Sequence, residues 1–208
     1  MDESGLLAWT EYVKLTVGLF AISTPLAAVP IYLTLTRDLA VPLRRRVATI
    51  SAGAYLLTLG LFAVFGDEIL AFFGITLEAF KVAGGLLLVL SALRMMRPGA
   101  AASAAPPEAS HSSAAGLAVV PLTIPILAGP GAITMIVVST HDQGAAHEIW
   151  MAAAIAAVAA IILGLFRLAL RMGALLGATA IQILNQVMGL IVASIGAEFL
   201  LEGLRAAF

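Results

Sequence analysis

Six stretches of about 20 mainly apolar residues constrain the fold of this chain more than any other feature, because a helix needs this length to cross a membrane. They are residues 12–35, 47–66, 79–96, 117–139, 149–170 and 180–204. Runs such as 155–165 are apolar on every side, whereas strands of a membrane β-barrel alternate apolar and polar residues. The pattern therefore predicts an all-α, polytopic membrane protein with six transmembrane helices.

The composition excludes several classes of protein. Hydrophobic residues make up 62% of the chain and charged residues 11%, where soluble domains have about 25% charged residues. A net charge of −1 supplies no basic surface for nucleic acid. The absence of cysteine excludes disulfides and thiol chemistry, and no hydrolase or nucleotide-binding motif is present. The sequence therefore predicts neither an enzyme nor a bound cofactor or metal.

Lys and Arg are distributed unevenly among the loops between the stretches. The second and fourth loops hold none, while the first, third and fifth hold Arg37, Arg44, Arg45, Arg46, Arg94, Arg97, Arg167 and Arg171. Because cytoplasmic loops are enriched in these residues, the bias predicts a multi-pass protein of the inner (cell) membrane with both termini on the outer side.

The third loop, 97–116, is rich in Ala, Ser and Pro, a composition that cannot form a packed core. It predicts a flexible cytoplasmic linker within a single transmembrane domain, 1–208. The linker separates two repeats of three spans, 1–96 and 117–208. Because three is odd, the second repeat enters the membrane in the opposite sense to the first, which predicts an inverted repeat.

Prolines mark two of the six spans. Pro25 and Pro30 lie in the first span, and Pro121, Pro125 and Pro130 lie in the fourth. A proline inside a helix removes a backbone hydrogen bond and costs about 3 kcal/mol. These two spans hold equivalent places in the two repeats, and paired interruptions of this kind point to a transporter's binding site. The pattern predicts that both helices are discontinuous; the alternative is that the prolines only kink them for packing.

Each interruption predicts a helix start in the middle of the membrane. Ser23 and Thr24 precede Pro25 as capping residues would, and Gly129 and Gly131 flank Pro130. A helix start carries about half a positive charge, and the carbonyls before each break are partial negative charges. This field suits a small zwitterion such as a neutral amino acid. The candidate substrate-binding residues are Ser23, Thr24, Pro25, Ala27, Pro30, Thr123, Pro125, Gly129, Pro130, Gly131, Asn185 and Gln186.

Other polar residues within the spans have two interpretations each. Asn185 and Gln186 either join helices or contact substrate, and Glu198 is either a proton site or an interfacial carboxylate. Lys81 is near enough to a span end to reach the interface. Small residues at one-face spacing predict close helix packing; they are Gly53, Gly60, Gly84, Ser91, Gly85, Ala92, Gly189, Ala193 and Ala197.

Several motifs resemble the MarC/SnatA family of small inner-membrane proteins. They are TPLAAVPIYLTLT at 24–36, FFGI at 72–75, AFKVAGGLLL at 79–88, PLTIPILAGPGAI at 121–133 and MGLI at 188–191. The resemblance implies six spans and, in the SnatA branch, transport of glycine, alanine, serine or threonine, with export as the expected direction. Thr24 stands where the family commonly has Asn or Asp, and Ala27 where it commonly has Gly.

The leading hypothesis is therefore a secondary transporter of small neutral amino acids that works by alternating access around the paired breaks. The alternatives are a small-anion channel, since two positive helix ends also suit an anion, and a structural or regulatory membrane subunit that transports nothing. The expected partners are the lipid bilayer and a small neutral amino acid, and a homo-oligomer is compatible with the sequence.

Overall fold

The computed structural model describes residues 3–97, 127–140, 145–172 and 178–207, and within these ranges the only regular structure is helical. The helices are α1 (Glu3–Ser23), α2 (Pro25–Thr36), α3 (Val41–Phe73), α4 (Leu77–Met96), α5 (Pro130–Thr140), α6 (Ala145–Met172) and α7 (Ala178–Ala207). The prediction of an all-α polytopic membrane protein is confirmed.

Five predicted spans correspond to segments long and apolar enough to cross a membrane. These segments are Tyr12–Thr36, Val41–Phe73, Leu77–Met96, Glu148–Leu170 and Gln182–Ala207. Of the predicted fourth span, 117–139, the part before Leu127 lies outside the described residues, and the rest contains the short apolar helix α5. The predicted linker, 97–116, also lies outside them apart from Arg97.

Helix α3 is much longer than its predicted span of 47–66. It has 33 residues, or about 50 Å at 1.5 Å per residue. The helix continues past the apolar segment at both ends, through Arg45 and Arg46 at its start and through Asp67 and Glu68 towards its end, all of them exposed. Exposed charged side chains do not interrupt the backbone hydrogen bonds of a helix, so hydropathy locates a span better than it locates the helix ends.

Helices of the first half of the chain pack mainly on helices of the second half. Helix α2 packs on α6 and α7, and α5, which like α2 begins at a proline, packs on α3 and α4. The remaining main pairs, α4 with α7 and α3 with α6, join helices that are equivalent to each other. This is the pairing that a two-fold relation between the halves produces, while the repeat boundaries and the inverted orientation stay predictions.

Helices α4 and α7 approach so closely that only glycine fits at their crossing. A Cβ atom built on Gly85 would lie 2.6 Å from the Gly196 carbonyl oxygen, and one on Gly196 would lie 2.8 Å from that of Gly85. Gly189 is also at close contacts, whereas Gly53 and Gly60 have open space around them. The expectation of close packing thus holds for these glycines of α4 and α7, whereas no described residue packs closely on Gly53 or Gly60 of α3.

An ion pair joins the same two helices near their predicted outer ends. The Nζ atom of Lys81 lies 3.0 Å from the Oε2 atom of Glu202, and both side chains are partly exposed. Glu198, one turn before Glu202, is exposed. Lys81 therefore binds a carboxylate of the neighbouring helix.

Two clusters of buried side chains lie on either side of α1. The larger one joins α1, α2, α3, α5 and α6 and includes Leu19, Tyr32, Tyr55 and Phe166. The smaller one joins α1, α4 and α7 through Ala21, Leu88, Ala92 and Val192. Leu19 belongs to the larger cluster and Ala21 to the smaller one, and both lie in the last turns of α1. The end of α1 therefore lies between the two clusters.

Candidate functional site

The first helix is interrupted at Thr24, as the sequence predicts. Thr24 has φ 44° and ψ 47°, the left-handed region, which costs an L-residue about 1–2 kcal/mol and is unusual for a β-branched one. Its amide donates to the Ala21 carbonyl, and its carbonyl accepts from the amides of Ala27 and Ala28. The side chain makes no capping hydrogen bond. The prediction that this hydroxyl caps the helix start is therefore wrong, since the backbone of Thr24 joins the two helices.

The left-handed backbone predicts that Thr24→Asn stabilises the protein. Asparagine tolerates this conformation better than threonine, so the free energy of unfolding in detergent should rise by about 1 kcal/mol. The matched control is Thr76→Asn, at the start of α4, where the side chain accepts a hydrogen bond from the Ala79 amide and asparagine caps as well as threonine. A loss of stability in Thr24→Asn would contradict the prediction.

Side chains on both sides of the break hold α1 and α2 in place. The Ser23 hydroxyl, fully buried, lies 2.8 Å from the Tyr55 hydroxyl of α3. The Tyr32 ring of α2 stacks on Phe166 of α6 with the ring centroids 4.4 Å apart. Its hydroxyl donates to the Arg44 carbonyl over 2.8 Å. The short helix α2 is thus fixed against α3 and α6.

A double-mutant cycle measures the contribution of the Ser23–Tyr55 hydrogen bond. Ser23→Ala and Tyr55→Phe each remove one partner and leave the other hydroxyl buried and unpaired, so each should lower the free energy of unfolding by about 1–2 kcal/mol. The double variant should lose about 1 kcal/mol less than the sum of the two, because it leaves neither hydroxyl unpaired. Strictly additive losses would contradict a direct interaction.

The second interruption lies at Gly129 and Pro130. Helix α5 begins at Pro130, and its first backbone hydrogen bond runs from the Ile133 amide to the Gly129 carbonyl over 3.1 Å. The amides of Gly131 and Ala132 come before that bond, in the part of a helix whose N–H groups lack acceptors within the helix. The predicted start of a helix at Pro130 is therefore present, with glycine on both sides of the proline.

The two interruptions meet at one cavity of about 190 Å³. The first break contributes Ile22 and Thr24, and the second contributes residues 129–132. A Cβ atom built on Gly131 would lie 2.3 Å from the Leu88 Cδ2 atom and 3.4 Å from the Ile22 Cγ2 atom. The start of α5 is therefore close to both the end of α1 and the middle of α4.

The cavity extends along α4 towards the predicted cytoplasmic end of that helix. Its lining includes Leu88, Ser91, Arg94 and Met95. The first and last of these are about 10 Å apart along the helix axis. In the other direction α4 and α5 are in close contact, because a Cβ atom on Gly84 would lie 2.1 Å from the Thr134 Cγ2 atom. The arrangement is open towards one predicted face of the membrane and packed towards the other.

Four of the predicted site residues line this cavity: Thr24, Gly129, Pro130 and Gly131. Ser23 and Pro25 are buried beside it, and Ser23 bonds to Tyr55 instead. Ala27, Pro30, Asn185 and Gln186 are not part of its lining, where α7 contributes Val192. Thr123 and Pro125 lie outside the described residues. A role for any of the predicted residues in binding substrate stays a prediction.

Helix α4 supplies cavity residues that the proline pattern does not reveal. Ser91 and Arg94 bring a hydroxyl group and a full positive charge. The sequence pattern predicts helix packing for Ser91 and a cytoplasmic loop for Arg94. The available signal was the spacing of three residues from Leu88 to Ser91 and from Ser91 to Arg94, which places all three on one face of a helix.

Comparison with known proteins identifies the family. The family model for MarC family integral membrane proteins matches residues 9–208. The chain belongs to the MarC family. Within it, the chain is 36% identical to UPF0056 membrane protein MJ1677 of Methanocaldococcus jannaschii over 197 residues, 91% of this chain and 94% of that protein.

Bacterial members are similar over the same extent. The chain is 30% identical to UPF0056 membrane protein YhcE of Escherichia coli (strain K12), covering 95% of this chain and 93% of YhcE. It is 32% identical to UPF0056 membrane protein YvbG of Bacillus subtilis (strain 168), covering 94% and 95%. No solved structure matches the chain. Membership of the MarC family therefore shows an integral membrane protein, and its function must be argued from the cavity.

Proposed function

We propose that this MarC-family protein is a secondary transporter of small neutral amino acids, such as glycine, alanine, serine or threonine, that works by alternating access. The observation that carries the proposal is the meeting of two interrupted helices at one cavity. Binding sites of secondary transporters are typically formed by discontinuous helices at the interface between repeats. The family resemblance supports the same class of substrate, with export as the expected direction.

The size of the cavity favours a small solute. Its volume of about 190 Å³ corresponds to about six water molecules in the liquid. The backbone amides of Gly131 and Ala132 and the positive end of α5 suit a carboxylate. An ammonium group would bind to carbonyl oxygens at the end of α1, where the helix dipole is negative.

The asymmetry of the packing supports alternating access. The cavity reaches down α4 to Met95, while α4 and α5 are packed together at Gly84 and Thr134. Exchange between this state and one that opens at Gly84 would expose the same cavity to the opposite face. We infer that the structure is the state open towards the predicted cytoplasmic side.

Counterflow in proteoliposomes tests the proposal. Vesicles loaded with unlabelled alanine should accumulate external labelled alanine, with saturation, and vesicles without protein should not. Glycine, serine and threonine should compete, and glutamate and lysine should not. Absence of counterflow for all four neutral amino acids, with protein shown to be folded, would refute the proposal and favour a membrane subunit without transport.

A second candidate function is a channel for a small anion, which Arg94 in the cavity lining favours, because a cation and two positive helix ends attract any anion. Planar bilayer recordings separate the two candidates. Unitary chloride currents would favour the channel, whereas saturable counterflow without such currents favours the transporter.

A further inference from the structure

Among the described residues that line the cavity, one carries a full charge, and it belongs to α4. Arg94 lines the cavity from α4, together with Leu88, Ser91 and Met95. Leu88, Ser91 and Arg94 follow each other at spacings of three, and Met95 comes four residues after Ser91, so they form one continuous face of the helix. Arg94, an exposed residue, therefore lines the same cavity as Thr24 and the start of α5.

Nothing in the described part of the chain neutralises this charge. The ion pairs formed among the described side chains join Arg37 to Asp38 and Lys81 to Glu202, and neither includes Arg94. The described residues that line the cavity include no Asp or Glu. Arg94 also lies in the last turn of α4, where a cation is favourable beside the negative helix end. That placement gives Arg94 a structural role but leaves its five N–H donors available to a ligand.

We propose that Arg94 binds the carboxylate of the substrate, and that this site recognises its substrate by the carboxylate rather than by the ammonium group. The inference rests on the proposed function and names the chemical feature that the transporter selects. Arginine pairs with a carboxylate through two parallel hydrogen bonds, and it remains charged at any pH at which proteins fold. Arg94 is thus a specificity-determining residue of the cavity.

The two ends of an amino acid meet unequal partners in this cavity. The carboxylate has the guanidinium group and the amides at the start of α5, all positive. Among the described lining residues, the acceptors for the ammonium group are neutral, namely carbonyl oxygens and the hydroxyl groups of Thr24 and Ser91. A ligand that keeps the carboxylate and lacks the amine therefore retains the stronger interactions. A ligand that keeps the amine and lacks the carboxylate places a positive charge beside Arg94.

Competition on the wild-type protein tests the inference without any variant. Propionate, which is alanine without its amino group, should inhibit alanine counterflow. Alaninamide, which keeps the amino group and loses the carboxylate, should not inhibit it at the same concentration. Equal inhibition by the two compounds would overturn the inference, and so would inhibition by chloride as strong as that by propionate, because it would indicate a site for any anion.

Variants at position 94 then test the residue itself. Arg94→Gln should raise the concentration of alanine that gives half-maximal counterflow by about 10- to 100-fold, the loss expected for a hydrogen bond to a charged group. Arg94→Lys, which keeps the charge and loses the two-pronged geometry, should restore part of the affinity. Arg97→Gln is the matched control, because Arg97 ends the same helix and is not part of the cavity lining.

The outcomes distinguish this inference from the proposed function. Unchanged half-saturation in folded Arg94→Gln, with counterflow intact, would overturn the role of Arg94 and leave the transporter standing. Absence of counterflow for every amino acid would refute the transporter, and calorimetric titration of propionate into wild-type protein would then decide the inference alone. If Arg94→Gln does not fold, Arg94→Lys and the comparison of propionate with alaninamide still decide it.

Discussion

Leucine in place of Gly131 is expected to reduce alanine counterflow by two orders of magnitude or more. Position 131 lies where both interrupted helices and α4 meet, and even a Cβ atom there would lie 2.3 Å from the Leu88 Cδ2 atom. A leucine side chain would occupy the cavity and displace the start of α5. Displacements of about 1 Å at a closely fitted site cost on the order of a hundredfold in rate.

The matched control for this variant is Gly164→Leu. Gly164 lies in α6, is exposed, and has no atom within 4 Å of the position of an added Cβ. The Gly164→Leu variant should insert, fold and transport as the wild type does. Counterflow should be measured at equal amounts of reconstituted protein, with thermal unfolding in detergent as the check on folding. Wild-type counterflow in folded Gly131→Leu would place the binding site elsewhere.

The second large effect is expected at the crossing of α4 and α7. In most helices Gly→Ala stabilises by about 0.5–1 kcal/mol. At position 85, however, the added methyl group would lie 2.6 Å from the Gly196 carbonyl oxygen and 2.9 Å from the Leu200 nitrogen. Backbone atoms cannot rotate away as a side chain can, so Gly85→Ala should lower the free energy of unfolding by about 2 kcal/mol.

The same substitution in α3 should raise the free energy of unfolding and not lower it. Gly60 has no atom within 4 Å of an added Cβ, so Gly60→Ala should be stabilising by about 0.5–1 kcal/mol. Stepwise unfolding of both variants in SDS against the wild type measures the two changes. Equal stabilities of Gly85→Ala and Gly60→Ala would contradict the close approach of α4 and α7.

Hydropathy and proline placement predict most of the architecture. Every described span coincides with a stretch of apolar residues, and helices begin at Pro25 and Pro130, where proline is favoured, while Pro30 lies within α2 without interrupting it. These features are local, since each depends on a few consecutive residues. The extent of α3 was not predictable in this way, because charged residues at the membrane surface do not end a helix.

The cavity was predicted only in part, since its lining depends on tertiary packing. Thr24 and Gly131 were predictable because a helix is interrupted beside each of them. Ser91 and Arg94 belong to an unbroken helix, and nothing local shows that its face meets the breaks. In the same way, the hydrogen bond of Ser23 to Tyr55 joins residues 32 positions apart, so the sequence does not reveal the partner of this buried hydroxyl.

The two breaks differ in how freely their backbone torsion angles can change. The first has a threonine and a proline, with Ser23 tied to Tyr55 on one side and Tyr32 stacked on Phe166 on the other. The second has a glycine on each side of its proline, and glycine rotates over a far wider range of φ and ψ. We therefore expect any rearrangement of the cavity to meet less resistance at the start of α5 than at Thr24.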